Sequence, residues 1–195
     1  MEGGGLKTAL AEAGVTAEAR IVFGDEMRVG LHGQVRRRWC PRGIKLVQRQ
    51  QIQYVWRYLM LMVDVQAGRL HWCWLERLRK EVVREAILPW SSEIDAIVWD
   101  SAPSHKAKVV KDIDIVMVNQ PPYSPEVNPP ERLFEELRRE IEGDVYGTID
   151  DKIAKVDAFL NQLASDPARV KQLLGWQWIR DSLAQLPSID HVALA

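Results

Sequence analysis

The sequence predicts an α/β fold, a mixed five-stranded sheet with helices on both faces. Three observations carry that expectation. Short apolar runs at 21–23, 96–99 and 113–118 are bounded by acidic or polar residues, the pattern of buried strands. Residues 54–75 are rich in aromatic and β-branched side chains and are interrupted at Gly68, which reads as a hairpin. Beyond residue 95, strands alternate with helical stripes, which implies a parallel, right-handed β-α-β unit joined to the antiparallel first half.

The elements follow in order. Residues 6–18 carry a weak stripe, Leu6, Ala9, Leu10 and Ala13, ended by Gly14. Residues 20–24 form the first strand, with Asp25 and Glu26 at its end. Tyr54–Val65 and Arg69–Leu75 pair as the hairpin; in the second arm Leu70, Trp72 and Trp74 share one face, and His71 and Cys73 the other. Residues 76–88 place Leu78, Val82, Val83, Ala86 and Ile87 at helical spacing, and Pro89 ends the run. Strand 95–99, helix 104–111 and strand 113–118 make up the β-α-β unit. A proline-rich turn, Pro121 to Pro130, opens a helix reaching about 142, striped by Leu133, Phe134, Leu137 and Ile141 and stopped by Gly143. Two further helices are expected at 150–164 and 168–184, then a loose tail. The division is a helical lead-in at 1–19, a core at 20–145 and C-terminal helices at 146–195 on the same domain.

A chain of 195 residues with 47% apolar and 27% charged residues can bury one sizeable core. Two cysteines, Cys40 and Cys73, give no disulfide framework and suit a reducing cytoplasm. The first residues lack the apolar stretch of a secretion signal, and the run Tyr58–Val63 is too short to span a bilayer. His32, Cys40, His71 and Cys73 lack the paired short loops of a structural zinc site. The net charge of −1 conceals a local imbalance: Met27–Val63 holds eight Arg and Lys and no acid. Such a run is either a solvated face or a phosphate-binding footprint. Trp39 and Trp56, among the arginines, strengthen the second reading.

Asp25, Asp100 and Glu131 each stand at the end of a core element, the last two 31 positions apart. Three carboxylates in that framework suggest metal-dependent phosphodiester chemistry, because hard divalent cations prefer carboxylate oxygens. Each also has a structural explanation. Asp25 and Asp100 fit strand ends, the latter starting an Asx-turn. Glu131 fits the third position of a capping box begun by Asn128. Glu26 is a neighbour of Asp25, and Glu135, one turn beyond Glu131, is the rival third ligand. His105, five residues past Asp100, suits a phosphate contact or a helix cap.

Gly24-Asp25-Glu26, Arg38-Trp39-Cys40-Pro41-Arg42-Gly43, Trp99-Asp100-Ser101-Ala102-Pro103-Ser104-His105 and Pro121-Pro122-Tyr123-Ser124-Pro125-Glu126-Val127-Asn128-Pro129-Pro130-Glu131 together resemble the catalytic domain of DDE-type transposases, a DDE superfamily endonuclease of the bacterial insertion-sequence branch of the mariner superfamily. The resemblance spans residues 20 to about 142. It implies an RNase H-like fold, two Mg2+ or Mn2+ ions held by Asp25, Asp100 and Glu131, and cleavage and strand transfer at transposon ends. It further implies DNA, as transposon ends and target, and a homodimer to pair two ends; the basic run and the residues after Asp100 offer Arg36, Arg37, Arg38, Trp39, Arg42, Lys45, His105 and Lys106 as the DNA contacts. The location expected is the bacterial cytoplasm, on the nucleoid, with no membrane. The sequence departs from the pattern at Ser101, where asparagine is usual, and at Pro130, where isoleucine is usual. Nothing in Met1–Arg20 reads as a helix-turn-helix module. The expectation is therefore a separate DNA-binding protein or a missing N-terminal domain, and the alternative is an inactive remnant that binds DNA or a protein partner without cutting.

Overall fold

A computed structural model of the chain describes residues 5–33, 39–47, 49–100, 112–120 and 128–188. The element order is α1 (Gly5–Glu12), β1 (Ile21–Gly30), β2 (Trp56–Asp64), β3 (Arg69–Leu75), α2 (Lys80–Ile87), a 3-10 turn (Leu88–Trp90), β4 (Ala96–Trp99), β5 (Val116–Asn119), α3 (Pro129–Ile141), α4 (Ile149–Ala164), α5 (Pro167–Leu174) and α6 (Gln177–Ala184). The five strands form one sheet in the order β3-β2-β1-β4-β5. The first three are antiparallel, and β4 and β5 join in parallel. The expected helix 104–111 lies outside the described residues.

Strand alternation gives the sheet two apolar faces. Ile21, Phe23, Met27 and Val29 of β1 face a core shared with α1 and α3–α6. Val22, with Met60, Met62, Ile97 and Trp99, faces a smaller core covered by α2. Helices thus flank the sheet on both sides. Gly24 lies on the smaller face, where a Cβ would stand 2.7 Å from the Met62 sulfur and 3.3 Å from the Trp99 ring. A side chain there would press on both the Met62 thioether and the Trp99 ring.

Four expectations are corrected. β1 does not stop at residue 24. It runs to Gly30, because Met27 and Val29 keep the core alternation going past the acidic pair and β2 pairs with it as far as Trp56. Asp25 is therefore inside a strand rather than at its end. The helix expected from 76 begins only at Lys80. The strand expected from 113 begins at Val116, after Asp112 turns with φ 67°. The helix expected over 168–184 is two helices, broken at Gly175, whose backbone packs against the Lys171 carbonyl too closely to admit a Cβ.

The two halves of the sheet are clamped at the start of β1. The Arg20 guanidinium grips Asp95 through Nε (2.8 Å) and Nη2 (2.7 Å), and the Arg20 N–H adds a third bond of 2.7 Å. These bonds hold the Asp95 carboxyl below the usual carboxylate range. They also set the β1–β4 register, since Asp95 N–H and Ala96 N–H both donate to the Arg20 carbonyl. α3 starts where two prolines supply the fixed φ of a first helical turn. It buries Leu133, Phe134, Leu137 and Ile141 in the larger core, at about 1.5–3 kcal/mol for each large side chain withdrawn from water. That packing carries Asn128 and Glu131 to the middle of the sheet.

Candidate active site

The register arranges side chains in rows across the larger face. One row is wholly apolar: Leu70, Val63, Phe23, Val98 and Val118. Two residues further along each strand, Trp72, Leu61 and Asp25 begin the next row. Alternation past Val98 and Val118 continues it with Asp100 and Gln120. The ladder does extend that far, because the Gln120 N–H donates to the Trp99 carbonyl at 2.7 Å. A row that begins in the core thus turns polar across the three central and edge strands, at the point where α3 begins.

Asp25 accepts two hydrogen bonds. The Glu26 N–H donates to Oδ1 at 2.8 Å, and Asn128 Nδ2 donates to Oδ2 at 2.8 Å. Asn128 is itself fixed: its Oδ1 accepts from Gln120 Nε2 at 3.0 Å, and its Nδ2 also approaches the Gly24 carbonyl at 3.4 Å. Burial pushes the Asp25 carboxyl up to about 7. The Glu26 N–H opposes that rise, while the charges of Glu131, Glu26 and Asp100 add to it. Asp25 therefore senses both other members of the expected triad.

Glu131 is half-buried on the first turn of α3, and its Oε2 lies 3.7 Å from Arg138 Nη1. The expected capping box is not formed, since the Asn128 side chain makes no cap bond. Glu135 is exposed and pairs with Arg132 at 2.9 Å, and it does not act on Asp25. Glu26 shares a row with Met60 and Cys73 on the opposite face of the sheet. There burial, and then Glu26, push the Cys73 thiol up to about 11. The structure thus brings Asp25, Asp100 and Glu131 to one side and leaves Glu26 and Glu135 away from it.

Of the expected DNA contacts, Arg36, Arg37, Arg38, His105 and Lys106 lie outside the described residues. Trp39, Arg42 and Lys45 are exposed, on a stretch over 39–55 with neither helix nor strand among its described residues. Its base is tied down by Leu31 N–H to Val55 O and Gly33 N–H to Gln51 O, both 2.9 Å. The Gln51 side chain pairs with the Tyr146 backbone in both directions. Arg28 on β1 lies over the Trp56 ring, 5.2 Å from its centroid.

Asn128 and Gln120 are the site residues that sequence reasoning missed. Asn128 was legible only as a helix cap. Gln120 could have been found by continuing the alternation of the last strand two residues past Val118.

Three carboxylates offer hard oxygen donors, which suit magnesium or manganese. A half-buried Asp25 pressed by two further carboxylates is a place where a cation would relieve both desolvation and repulsion. Among the described residues no three His, Cys, Asp or Glu side chains form a ready-made metal cluster. The carboxylates neighbour one another without closing on one point, so the donor set fits a divalent ion by chemistry and would have to draw in around it.

The 3-2-1-4-5 sheet, with an acidic side chain on β1 and another directly after the adjacent strand β4, is an RNase H-like fold. Within that class the chain belongs to the DDE superfamily endonucleases, whose family profile matches residues 20–151. No curated protein sequence matches it. Among solved structures it is similar to the Mos1 strand transfer complex, with a TM-score of 0.65 at 15% identity over 92% of this chain and 59% of that one. It is also similar to the mariner Mos1 paired end complex with Mg, with a TM-score of 0.63 at 15% identity over 92% of this chain and 60% of that one. The chain thus spans about 60% of the length of these transposase chains. No described helix is long and apolar enough to cross a membrane.

Proposed function

We propose that the chain is a transposase catalytic domain that cleaves DNA phosphodiester bonds and transfers strands at transposon ends, with Asp25, Asp100 and Glu131 as its metal-holding residues. The observation that carries this reading is the polar row: Asp25 on β1 feels the charges of Asp100, which follows the end of the parallel neighbour β4, and of Glu131 on the first turn of α3. When bound, two Mg2+ or Mn2+ ions supply the Lewis acidity that activates the attacking hydroxyl and stabilises the leaving oxygen. The protein's own part is to hold three carboxylates at one end of a rigid sheet. Trp39, Arg42, Lys45 and the undescribed Arg36–Arg38, His105 and Lys106 then serve the DNA backbone through charge and stacking.

The relatives named above are transposase complexes, one of them described with Mg. Their kinship supports DNA as the partner here, and a homodimer or a separate helix-turn-helix protein as what completes the assembly. Membership of an insertion sequence, and a nucleoid location, belong to the same reading. The second reading is a relative that binds DNA or a protein partner without cutting.

Cleavage of labelled duplex DNA in Mg2+, Mn2+ or EDTA decides between them. The expected result is metal-dependent nicking that Asp100→Asn lowers by at least about 10^3-fold, the several kcal/mol that metal-assisted charge stabilisation supplies. Binding that persists in EDTA with no nicking in either metal would favour the second reading. Neutralising Arg42 and Lys45 should flatten the salt dependence of DNA binding by about 0.9 in log–log slope for each phosphate they neutralise. An unchanged slope would make that stretch a solvated face.

A further inference from the structure

We propose that Asn128, locked in one orientation by Gln120, is the positioning residue that sets the Asp25 carboxylate for its ligand, an inference that rests on the metal-site reading above.

An asparagine amide has one accepting oxygen and one donating NH2 group. Gln120 Nε2 occupies the oxygen side at 3.0 Å, so the NH2 group faces Asp25 Oδ2 at 2.8 Å. Both amides are nearly sealed from water, Asn128 at 2% and Gln120 at 4% exposure. Water therefore cannot rescue a reversed amide. Reversal would set two NH2 groups against each other and an amide oxygen against the carboxylate, leaving buried polar atoms unpaired. The relay is thus directional, running from the end of β5 through the start of α3 to the middle of β1.

The result at Asp25 is a carboxylate held at both oxygens, by Asn128 on Oδ2 and by the Glu26 N–H on Oδ1. Rotation about its terminal bond is fixed. Each oxygen keeps lone-pair capacity for a further partner. This is how outer ligands ordinarily orient a metal-binding carboxylate.

Helix capping does not account for Asn128. It occupies the N-cap of α3 with extended backbone, φ −98° and ψ 112°, and its side chain makes no cap bond. The next two residues, Pro129 and Pro130, have no N–H to be capped. The third N–H, of Glu131, donates to the Asn128 carbonyl at 3.1 Å. The prolines thus remove the demand for a side-chain cap and release the amide to reach Asp25. Because Glu131 lies three residues along, the same contact ties the start of α3, and with it Glu131, to the Asp25 strand.

The test measures Mn2+ affinity by calorimetry and single-turnover nicking on the full chain, for the wild type, Asp25→Asn, Asn128→Ala, Gln120→Met and the Asn128→Ala/Gln120→Met double variant. Gln120→Met keeps the length of the side chain and adds no charge but removes the amide donor, so it releases the Asn128 amide without touching Asp25. Asn128→Ala and Gln120→Met should each weaken Mn2+ binding by about 10–100-fold. The double variant should lose no more than Asn128→Ala alone, because both act through one amide. A merely structural pair would lower the urea midpoint and leave Mn2+ affinity within about twofold in the folded protein, and that result overturns the proposal. If Asn128→Ala does not fold, Gln120→Met alone decides by the same criterion. Loss of Mn2+ binding in Asp25→Asn, with binding kept in Asn128→Ala and Gln120→Met, would leave the site reading standing and sink only this inference. Equal Mn2+ binding by the wild type and Asp25→Asn, or none by either, would sink both.

Discussion

Asp25 and Asp157 lie on the same side of the sheet, and each accepts two hydrogen bonds from N–H groups. For Asp157, on α4, the donors are the indole nitrogens of Trp72 and Trp74, at 3.0 and 2.9 Å. For Asp25 they are the Glu26 backbone and the Asn128 amide. Trp72 even stands in the row that leads through Leu61 to Asp25. What differs is the rest of the surroundings. Both carboxylates are half-buried. Asp157 stands at the sheet edge, where its bonds join α4 to β3. Asp25 sits at the centre, facing Glu131 and Asp100, and its carboxyl is driven up to about 7. Two donors make Asp157 a fastener between helix and sheet. The same number leaves Asp25 under-stabilised, because Glu131, Glu26 and Asp100 add negative charge around it. Asp25 is thus held in place yet electrostatically unsatisfied, the condition expected of a group that waits for a cation.

Exchanging the two roles is the strongest way to break this comparison. Asp25→Asn should lower metal-dependent nicking by at least about 10^3-fold while leaving the fold intact, because the replacement keeps size and removes a repelled charge. Asp157→Ala should do the opposite. Loss of two hydrogen bonds to a charged group costs about 2–4 kcal/mol, read as a lower urea midpoint and a red-shifted tryptophan emission. Nicking per folded molecule should stay within about twofold. If Asp25→Asn unfolds the chain, or Asp157→Ala disables cutting in folded protein, the division between fastener and site is wrong.

Much of this contrast was legible in the sequence, and the parts that were not have physical causes. Asp25, Asp100 and Glu131 stood out as candidates because each follows or precedes an apolar stretch. The antiparallel hairpin was legible from Gly68 and the parallel pairing of the last two strands from the alternating pattern, whereas the order of the strands across the sheet was not. The extension of β1 to Gly30 was missed because an acidic pair usually ends a strand; here Met27 and Val29 restore the core face beyond it. The break at Gly175 was missed because apolar spacing carries across it. Asp157 and the two indoles could not be read at all, since 83 and 85 residues separate the partners and no local period links them. Asn128 was read locally, as a cap, because its real partners are fixed by the meeting of β1, β5 and α3.

A smaller effect sharpens the comparison through pH. The Asp25 carboxyl titrates near 7 in the folded protein, against an ordinary value of 3.8. The folded state therefore holds that proton more tightly. The resulting stabilisation is complete below about pH 3.8 and is lost as pH rises through about 7. The metal-free wild type should lose on the order of 1–3 kcal/mol from this group across that interval, after allowance for its partial contact with water. Asp25→Asn should remove that slope and be the more stable protein at pH 8. Asp95, lowered by Arg20, contributes a slope of the opposite sign at lower pH. It is common to both proteins, so it cancels in their difference. Saturating Mn2+ should flatten the wild-type curve by favouring the charged form. Parallel curves for wild type and Asp25→Asn would mean that the folded state does not hold the Asp25 proton more tightly than the unfolded chain.

Glu135 supplies the smallest effect and the control for both. It lies one turn beyond Glu131 and carries its own cationic partner, Arg132, at 2.9 Å. Arg132 also reaches Glu136 at 2.7 Å, so the guanidinium keeps a partner when Glu135 is neutralised. An exposed pair of this kind is worth about 0–1 kcal/mol, because water screens it and two long side chains must be ordered to make it. Glu135→Gln should therefore move the urea midpoint little, leave the pH profile of stability unaltered, and keep nicking within about twofold. Glu131→Gln, on the same helix and with the same change of charge, should depress nicking and lower the pH at which Asp25 titrates, since it removes the first of the neighbouring charges that act on Asp25. Equal effects from the two substitutions would show that charge on α3 matters only in sum. A larger loss from Glu135→Gln would transfer the third ligand to that residue and require α3 to rotate from its present seat on β1.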